Sequence, residues 1–495
     1  MPPHVEQHRN DQRPTDERTP LLDDEHETDH DGDSRQLLKF EDGDDENPRH
    51  WPKRRKLLNV VVIAMMSILS PLASSAFTPG IQQIADEFKC STDQVIASTT
   101  GFVICLGIGP LFLAPMSETY GRRKVYLICF GIFSLLQIPT ALAPNIETFI
   151  AVRTIAGFWG SVGIANGGGT ISDTFFPSER ASIYGWYLLG PLLGPTIGPL
   201  IGGIFVQRQN WRWIFWFMTI VAMTNTIAGF FFLRESYAPV LLSRRKAQLE
   251  KEHDTPGKYK VEGYDESPLF SKIGRAIYRP IRIFSQPIVI TMSIYQALIF
   301  GTTYSIYTNF QAIYEGEYGF NTEQVGLLFL GPGLGFLTAV LFLVPRIDSV
   351  YKSITAKHGG KSKPEYRLPL ANIGAVLIPI SLFWFAWTIQ ARVHWSASII
   401  ATYFYGIGQV MILNPVQNYY IDSFEKYAAS AIAAGAVFRS VFGGLVPLFT
   451  PSLIDKIGYG WGISVFAFVG LALAPAPILF YTFGQRIRER FAIEL

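Results

Sequence analysis

The sequence predicts an all-α membrane protein in which twelve transmembrane helices form two pseudo-symmetric six-helix bundles. Three observations predict this fold class. The 495 residues have a mean hydropathy of +0.21 and only 17% charged side chains, whereas soluble proteins carry roughly a quarter. Twelve apolar stretches are long enough to cross a bilayer, and the loops between them alternate between basic and nearly uncharged.

The apolar stretches are the predicted spans. A hydrocarbon core about 30 Å thick requires about 20 mostly apolar residues in a helix. Strands would have to close a barrel and would alternate in hydrophobicity, and these stretches do not alternate. In chain order, the predicted spans are 57–79, 95–115, 124–142, 148–171, 181–205, 212–233, 286–312, 325–345, 369–389, 396–419, 428–450 and 461–484.

The distribution of Lys and Arg predicts the orientation. One set of alternating loops holds about 29 of these bases, and the opposite set holds about five. Because Lys and Arg accumulate in cytoplasmic loops, both termini are expected in the cytoplasm. The protein is expected in the cell membrane as a multi-pass protein, with the vacuolar membrane as the alternative.

The polar stretches predict the domain organisation. Residues 1–50 hold about 16 acidic and about 6 basic side chains without apolar periodicity, which indicates a disordered acidic cytoplasmic tail. The remaining predicted units are an N-terminal six-helix bundle (51–233), a charged cytoplasmic linker (234–285), a C-terminal six-helix bundle (286–484) and a short cytoplasmic tail (485–495).

The two predicted bundles repeat a pattern of acidic residues. Glu118 follows span 2 and Asp173 follows span 4, while Asp348 follows span 8 and Asp422 follows span 10. Acids at matching places in both halves indicate a duplication, which is the ground plan of many secondary transporters.

Motifs for other classes of function are missing from the sequence. The three cysteines, Cys90, Cys105 and Cys129, show no CxxC spacing, so neither a metal site nor a disulfide framework is predicted. There is no HExxH, no Gly-x-Ser-x-Gly and no P-loop. We therefore expect no enzymatic activity, no cofactor, no metal and no nucleic-acid partner.

Three motifs identify a family. Ala114-Pro-Met-Ser-Glu118-Thr-Tyr-Gly121-Arg122-Arg123-Lys124 resembles the Gly-x-x-x-Asp-x-x-Gly-Arg-Arg signature of the major facilitator superfamily, with Ala and Glu at its first Gly and its Asp. Arg153-Thr-Ile-Ala-Gly157 is similar to the Arg-x-x-x-Gly motif of span 4 in that superfamily. Small residues and prolines of span 5 resemble its antiporter motif: Gly190, Pro191, Gly194, Pro195, Gly198, Pro199, Gly202 and Gly203.

Further stretches resemble the fungal twelve-span drug:proton antiporter family. They are Asn47-Pro-Arg-His-Trp51-Pro, Glu235-Ser-Tyr237-Ala-Pro239, Pro364-Glu-Tyr-Arg367-Leu-Pro369 and Leu382-Phe-Trp384-Phe-Ala-Trp387. The resemblance implies secondary active efflux of hydrophobic small molecules, such as drugs, toxins or other secondary metabolites, by proton antiport and alternating access. Export of an organic acid or a polyamine, and a non-transporting sensor on the same scaffold, are the alternatives.

The resemblance also implies partners and roles. The partners are a small-molecule substrate, a proton gradient and the lipid bilayer, and the protein is expected to be a monomer. Arg153 and Asp173 are predicted to couple protons. The predicted cytoplasmic gate comprises Glu118, Gly121, Arg122, Arg123 and Asp173. Glu118 is expected to face the N-terminus of span 11, and Arg122 or Arg123 to pair with Asp173. The alternative is that these bases only set the topology.

Charges and small residues inside the spans predict further contacts. Arg439 lies about 11 residues into span 11, near the bilayer midplane, where it either binds an anionic or carbonyl-bearing substrate or ties span 11 to a neighbour. No carboxylate lies deep in a predicted span, so the coupling proton has no clear carrier. Either a carboxylate at a helix end shuttles protons, or coupling is indirect, or transport is facilitated and uncoupled. The span 5 motif is expected to pack against glycines of span 8. The remaining predicted pocket residues combine aromatic faces with hydrogen-bonding groups: Gln296, Tyr304, Tyr307, Tyr405, Gln409 and Asn414.

Overall fold

The computed structural model describes residues 36–41, 43–253, 257–265, 267–359, 363–424 and 427–491, most of which are helical. Among these residues, ten helices are long and apolar enough to cross a membrane, and a pair bent by 42° raises the number to eleven. The longest helix is broken at Gly458, where the backbone turns to φ 77° and ψ 168°. This break separates spans 11 and 12, so the described residues contain counterparts of all twelve predicted spans.

The helices fall into two halves. The first half contains Lys53–Ser75 (span 1), Thr92–Ile108 with Pro110–Tyr120 (span 2), Arg122–Ala141 (span 3), Ile146–Gly160 with Val162–Thr174 (span 4), Pro177–Arg208 (span 5) and Arg212–Phe232 (span 6). The second half contains Pro287–Tyr318 (span 7), Thr322–Leu328 with Leu330–Thr338 and Val344–Lys357 (span 8), Ala371–Gln390 (span 9), Trp395–Ser423 (span 10), and Ala428–Leu473 with Ala476–Arg490 (spans 11 and 12).

Equivalent helices of the two halves begin in the same way. At the start of span 2, the Ser91 side chain accepts a hydrogen bond from the Gln94 amide, and the Gln94 side chain accepts one from the Ser91 amide. Asn321 and Gln324 form the same reciprocal pair at the start of span 8. Such a capping box satisfies amides that the first helical turn leaves free.

Helix packing follows the same plan in both halves. Span 1 packs on span 5, span 2 on span 4 and span 3 on span 6, as span 7 packs on span 11, span 8 on span 10 and span 9 on span 12. Each half has its own apolar core, one centred on spans 1–6 and the other on spans 7–12. This repeated packing supports the duplication that the spacing of acidic residues indicates.

Most glycines of span 5 pack against span 1, while another part of the motif faces span 8 as expected, since a Cβ added at Gly326 would lie 2.9 Å from the Pro199 carbonyl oxygen. A Cβ added at Gly194 would lie 2.8 Å from the Ile68 carbonyl oxygen, and one at Gly202 would lie 1.7 Å from the Ala76 carbonyl oxygen. Gly203 alone among these glycines faces span 8, where an added Cβ would lie 2.7 Å from the Thr322 carbonyl oxygen. Small residues at four-residue spacing let the two helix backbones approach closely.

The segments outside the spans are more ordered than their composition predicts. The linker contains a first helix (Ala238–Glu252) and a second helix (Leu269–Phe284). Strand β1 (Gln36–Leu38) pairs in parallel with strand β2 (Tyr259–Val261) of the linker, and a 3-10 helix follows at Pro48–His50.

The two predicted tails therefore need correction. Disorder over residues 1–50 is wrong for the described residues 36–41 and 43–50, and residues 1–35 lie outside the described part. Pairing with a strand more than 200 residues away cannot be read from local composition. At the other end, the helix Ala476–Arg490 continues past residue 484, because a helix leaving the hydrocarbon can extend into water.

Candidate functional site

A cavity of about 820 Å³ lies between the two halves. Spans 1, 4, 7 and 10 contribute to its wall, and spans 2, 5, 8 and 11 and the second linker helix contribute as well. The cavity reaches the loops predicted to be cytoplasmic, because Glu118, Asp265 and Lys272 are among its lining residues. Most of the wall is apolar, as in small-molecule pockets.

Contacts between the halves close the opposite side. The Arg208 guanidinium donates two hydrogen bonds to the Glu323 carboxylate, at 2.8 and 3.2 Å. The Thr100 hydroxyl donates to the Gly444 carbonyl oxygen over 2.7 Å, which joins span 2 to span 11. The hydroxyls of Ser74 and Tyr304 lie 3.1 Å apart and join span 1 to span 7. The described residues therefore form a cavity with one open side.

Five of the seven predicted substrate-binding residues line this cavity: Tyr304, Tyr307, Gln409, Asn414 and Arg439. The other two lie behind its wall. The Tyr405 hydroxyl donates to the Ile299 carbonyl oxygen at 2.9 Å, and the buried Gln296 reaches the cavity only through Arg439. Tyr405 therefore joins spans 7 and 10 and is not exposed to a substrate.

Arg439 lies at the inner end of the cavity, five residues before Gly444 of the Thr100–Gly444 contact. One of its terminal nitrogens donates to the Gln296 side-chain oxygen at 3.2 Å, and its guanidinium carbon lies 5.0 Å from the centroid of the Phe300 ring. The positive charge of Arg439 therefore faces the cavity from a surrounding of amide and aromatic groups.

Arg122 organises the predicted gate at the end of span 2. Its Nε lies 3.2 Å from Asp173 and its Nη2 lies 3.9 Å from Glu118. Its Nη1 donates to the Ser117 hydroxyl at 2.6 Å. Burial raises the pKa of Tyr237 to about 12, so this ring, 4.9 Å from the Arg122 guanidinium, is neutral at physiological pH.

Gly121 and Glu235 explain why span 3 begins where it does. Gly121 has φ 98° and ψ 146°, a conformation that residues with a Cβ rarely adopt. A Cβ at this position would lie 2.3 Å from a carboxylate oxygen of Glu235. The Glu235 carboxylate accepts hydrogen bonds from the amides of Arg122 and Arg123, at 2.9 and 3.3 Å. Glu235 therefore caps the N-terminus of span 3.

Arg122, and not Arg123, is the arginine that pairs with Asp173, and the expected contact between Glu118 and span 11 stays a prediction for a conformation in which this side is closed. Arg123 donates to the Leu233 and Phe230 carbonyl oxygens, both at 2.8 Å, and so caps the end of span 6 instead of pairing with Asp173. Glu118 pairs with Arg122, and although Ser430 of span 11 also lines the cavity, no hydrogen bond joins the two among the described residues. The cavity separates these elements on its open side.

The second half carries a matching cluster that the sequence reveals only in part. Arg367 lies 2.5 Å from Asp348 and 2.8 Å from Asp422. These acids are the counterparts of Glu118 and Asp173, so each half has one arginine between the same two acidic positions. Arg367 precedes span 9, whereas Arg122 begins span 3. Sequence reasoning missed Arg367 as the partner, although it lies in a stretch that carries the family resemblance.

Arg153 and Asp173, which are both predicted to act in proton coupling, lie far apart. Twenty residues of helix separate them, about 30 Å at 1.5 Å per residue. Arg153 is 1% exposed and donates to the carbonyl oxygens of Ala73 and Ser74 at 3.3 and 3.4 Å. Its guanidinium carbon lies 4.1 Å from the Phe77 ring centroid. Arg153 therefore joins span 4 to the end of span 1.

The second linker helix contributes site residues that the sequence analysis missed. Lys272, Arg275 and Arg279 line the mouth of the cavity together with Asp265. Hydrogen bonds from Ser267 and Arg275 lower the pKa of Asp265 to about 2, so its carboxylate is ionised and pairs with Arg275 at 2.6 Å. The charge of the linker was attributed to topology alone, and only the amphipathic spacing of its bases could have indicated a surface facing the cavity.

The chain matches known proteins along most of its length. The family model of the Major Facilitator Superfamily matches residues 63–447. The MFS transporter prlG of a fungal species (strain NRRL 50135) is 40% identical over 476 residues, which cover 94% of this chain and 99% of that protein. The efflux pump radE of Floropilus chiversii is 36% identical over 461 residues, which cover 92% and 86%.

A solved structure shares the fold. The xylose transporter XylE from E. coli, in a partially occluded inward open conformation, superposes with a TM-score of 0.63 at 15% identity, covering 87% of this chain and 98% of that one. The transporter-named relatives confirm the expectation that the protein is not an enzyme. The chain thus belongs to the major facilitator superfamily, and it is a membrane transporter.

Proposed function

We propose that the protein is a secondary active efflux transporter that exports hydrophobic small molecules by alternating access. One observation carries the proposal: the cavity between the halves opens toward the loops predicted to be cytoplasmic, while Arg208–Glu323 and Thr100–Gly444 close the other side. A substrate enters this conformation from the cytoplasm or the inner leaflet. The name of the relative radE, an efflux pump, agrees with this direction.

The cytoplasmic cluster is proposed to act as the gate. Export requires a second conformation in which the cytoplasmic ends close and the outer contacts break. Glu118, now on the wall of the open cavity, would then reach the free amides at the start of span 11 near Ala429 and Ser430. Arg122 would hold the end of span 2 to Asp173 in both conformations.

Proton antiport is proposed to use the carboxylates of this cluster. Glu118 lines the cavity, and Asp173 is joined to it through Arg122. Protonation of either carboxylate weakens its attraction to Arg122 and to the N-terminus of span 11, which would link the proton to gate opening. Arg153 contributes as a positioning residue, since it holds span 4 against span 1 far from these carboxylates.

The lining of the cavity disfavours a polyamine. Among the described lining residues the acids are Glu118 and Asp265, both near the mouth and both paired with an arginine. A polycation would meet Arg439 at the inner end without a carboxylate to neutralise it. A non-transporting sensor would export nothing, so an efflux assay distinguishes it from the proposed transporter.

The test is a growth and efflux assay in a yeast strain that lacks its own drug exporters. Cells with and without the protein are exposed to a panel of apolar antifungals and fungal toxins at external pH 5 and pH 7. We expect resistance and reduced accumulation of at least one compound, with a larger effect at pH 5 because antiport uses the inward proton gradient. Equal accumulation of every compound in both strains, with the protein present at the cell surface, would refute the proposal.

A further inference from the structure

We propose that the cavity selects amphiphilic anions, that is, molecules with an apolar body and one acidic head group that binds to Arg439. The inference rests on the proposed efflux function and names the substrate class of the same cavity. Four features of the cavity support it: a cation without a counter-ion, unused hydrogen-bond donors, a surplus of bases along the wall, and an apolar remainder.

Arg439 has no counter-ion among the described residues. Its polar partner is the neutral side chain of Gln296, and the titratable groups acting on it are the tyrosines Tyr184, Tyr304 and Tyr420. A charge held away from water is costly unless it is paired. Arg122 and Arg367 each pair with two acids in this structure. Arg153 pairs with none, but it donates to two carbonyl oxygens away from the cavity, whereas Arg439 lines the cavity. A bound anion would supply the missing negative charge.

Unused donors lie at this position and elsewhere on the cavity wall. Arg439 Nε and Gln296 Nε2 are buried and have no hydrogen-bond partner in the described part of the chain. The Tyr307 hydroxyl, which lines the cavity, is also buried and without a partner there. Guanidinium and amide N–H groups only donate, so they require an acceptor. An ionised oxygen is the strongest acceptor available to them, whereas a hydrocarbon group would leave them unsatisfied.

Basic side chains exceed acidic ones along the described wall. Lys272, Arg275 and Arg279 lie at the mouth and Arg439 at the inner end, against Glu118 and Asp265. Asp265 is paired with Arg275 at 2.6 Å, and Glu118 with Arg122 at 3.9 Å. The unneutralised charge is therefore positive. A cleft with one sign of charge attracts ligands of the opposite sign and repels those of its own.

The rest of the wall fits an apolar body. Apolar side chains from both halves face the cavity, among them Leu106, Leu111, Ile164, Leu188, Phe336 and Val410. A small inorganic anion would leave this surface in contact with water. Burial of apolar area favours binding at about 25 cal/mol per Å², so a large hydrophobic group and an acidic head together use the whole cavity.

The test uses three probes that share one ring system and differ in head-group charge: pyrene-1-carboxylate, pyrene-1-carboxamide and pyren-1-ylmethylammonium. Cells are loaded without an energy source, and export is followed as loss of cell fluorescence after glucose is added. In parallel, the melting temperature of the purified full-length protein is measured with each probe. We expect the carboxylate to be exported fastest and to raise the melting temperature most.

Variants at Arg439 identify the residue responsible. Arg439→Ala and Arg439→Gln should lower carboxylate export by about tenfold or more, as expected when one hydrogen bond to a charged group is lost, and Arg439→Lys should retain part of it. Carboxamide export should change little. Leu445→Ala is the control on the same helix, because Leu445 is exposed on the face away from the cavity. Rates are normalised to surface abundance.

The outcomes separate the two proposals. Export of the carboxamide or the ammonium probe in preference to the carboxylate, or unchanged carboxylate export by Arg439→Gln, would overturn the inference and leave efflux standing. Stabilisation of the purified protein by the carboxylate without export of any probe would remove the efflux function and leave anion binding standing. If no probe stabilises the purified protein and no probe is exported, both proposals are refuted.

Discussion

At position 121 the backbone turns to φ 98°, and the space that a side chain would need is filled by the Glu235 carboxylate. The family motif is thus explained at this point by local physics. Gly121 permits the turn, and the Glu235 carboxylate accepts hydrogen bonds from two amides that the first turn of span 3 leaves free. This cap positions the arginines that follow it. The motif therefore determines where span 3 begins and where its arginine side chains lie.

Removing the cap should destabilise the protein. We expect Glu235→Ala to lower the free energy of unfolding by about 1–3 kcal/mol, the cost of leaving buried hydrogen-bonding groups unsatisfied. Thermal unfolding of the purified protein in detergent would measure the effect. Glu262→Ala, at an exposed linker position, is the matched control. Equal melting temperatures for the two variants would contradict the cap.

Arg153→Ala tests the role of the buried arginine of span 4. The side chain is surrounded by Phe77, Phe102, Phe149 and Phe215 and donates to the carbonyl oxygens that end span 1. Its loss leaves a cavity, for which costs of about 2–5 kcal/mol are typical. We therefore expect melting temperature, surface abundance and efflux to fall together. Lost efflux at normal abundance and stability would instead assign Arg153 a direct role in coupling.

For individual residues, the sequence predicted which side chains belong to the gate better than it predicted which groups they contact. Gly121, Arg122 and Asp173 were found from motif spacing, and Arg122 does pair with Asp173. The capping role of Glu235 was not predicted, because its contact with Gly121 joins positions that are 114 residues apart in the chain. Arg123 was an alternative partner for Asp173 and Arg153 a candidate for proton coupling, yet both bind backbone carbonyl oxygens, which leave no mark in a sequence.

Among the elements, spans 1 and 5 can pack closely because glycines of span 5 have no side chain at the contact. The motif of span 5 was recognised from its spacing, but the face it presents, and hence its partner, requires coordinates. Span 1 contains its own helix-breaking residue, Pro71, opposite Gly194. Close backbone contact along these helices gives the first half a tightly packed seam that can move as one body.

One glycine pair on span 5 tests this seam within a single helix. Gly202→Ala would place a Cβ 1.7 Å from the Ala76 carbonyl oxygen, whereas Gly185→Ala meets no atom within 4 Å. We expect Gly202→Ala to lower abundance and melting temperature sharply, because backbone has to shift. Gly185→Ala should be neutral or stabilising by up to about 1 kcal/mol, since alanine favours a helix. Similar behaviour of the two variants would show that the seam is not closely packed.

Linker elements were the least predictable. Their composition indicated a charged connection, while the described part of the linker contains two helices and a strand. The second linker helix alternates apolar and basic positions, so that Phe270, Tyr278 and Ile281 are exposed on one face and Arg275 and Arg279 line the cavity on another. That pattern was readable, but which face meets the cavity depends on tertiary packing.

For the molecule as a whole, the number of spans, their order and the twofold repeat followed from hydropathy and charge, because a bilayer enforces length and satisfied backbone groups. The conformational state did not follow, since the proposed alternating access requires one sequence to support both an open and a closed form of the side predicted to be cytoplasmic. The contacts that decide the state, such as Arg208 with Glu323, join exposed ends of different halves. Their residues look like ordinary loop charges.

A charge exchange tests the outer closure. Arg208→Glu places two carboxylates together between spans 5 and 8 and should weaken the closed outer side, slowing export. The double variant Arg208→Glu with Glu323→Arg restores opposite charges and should recover most of the rate, while Glu323→Arg alone should be as impaired as Arg208→Glu. Initial export rates, normalised to surface abundance, provide the measurement. Additive losses in the double variant would show that the pair does not hold the closure.

The parallel pairing of β1 with β2 shortens the tether between the two bundles. Asp44 adds an ion pair of 2.6 Å to Arg245 in the first linker helix, so the chain before span 1 is fastened to the chain that leads to span 7. Between Val261 and the helix that starts at Leu269 only seven residues remain, about 25 Å when fully stretched. This seven-residue connection therefore limits how far the two bundles can separate. Deleting the segment that contains β1 would lengthen the connection.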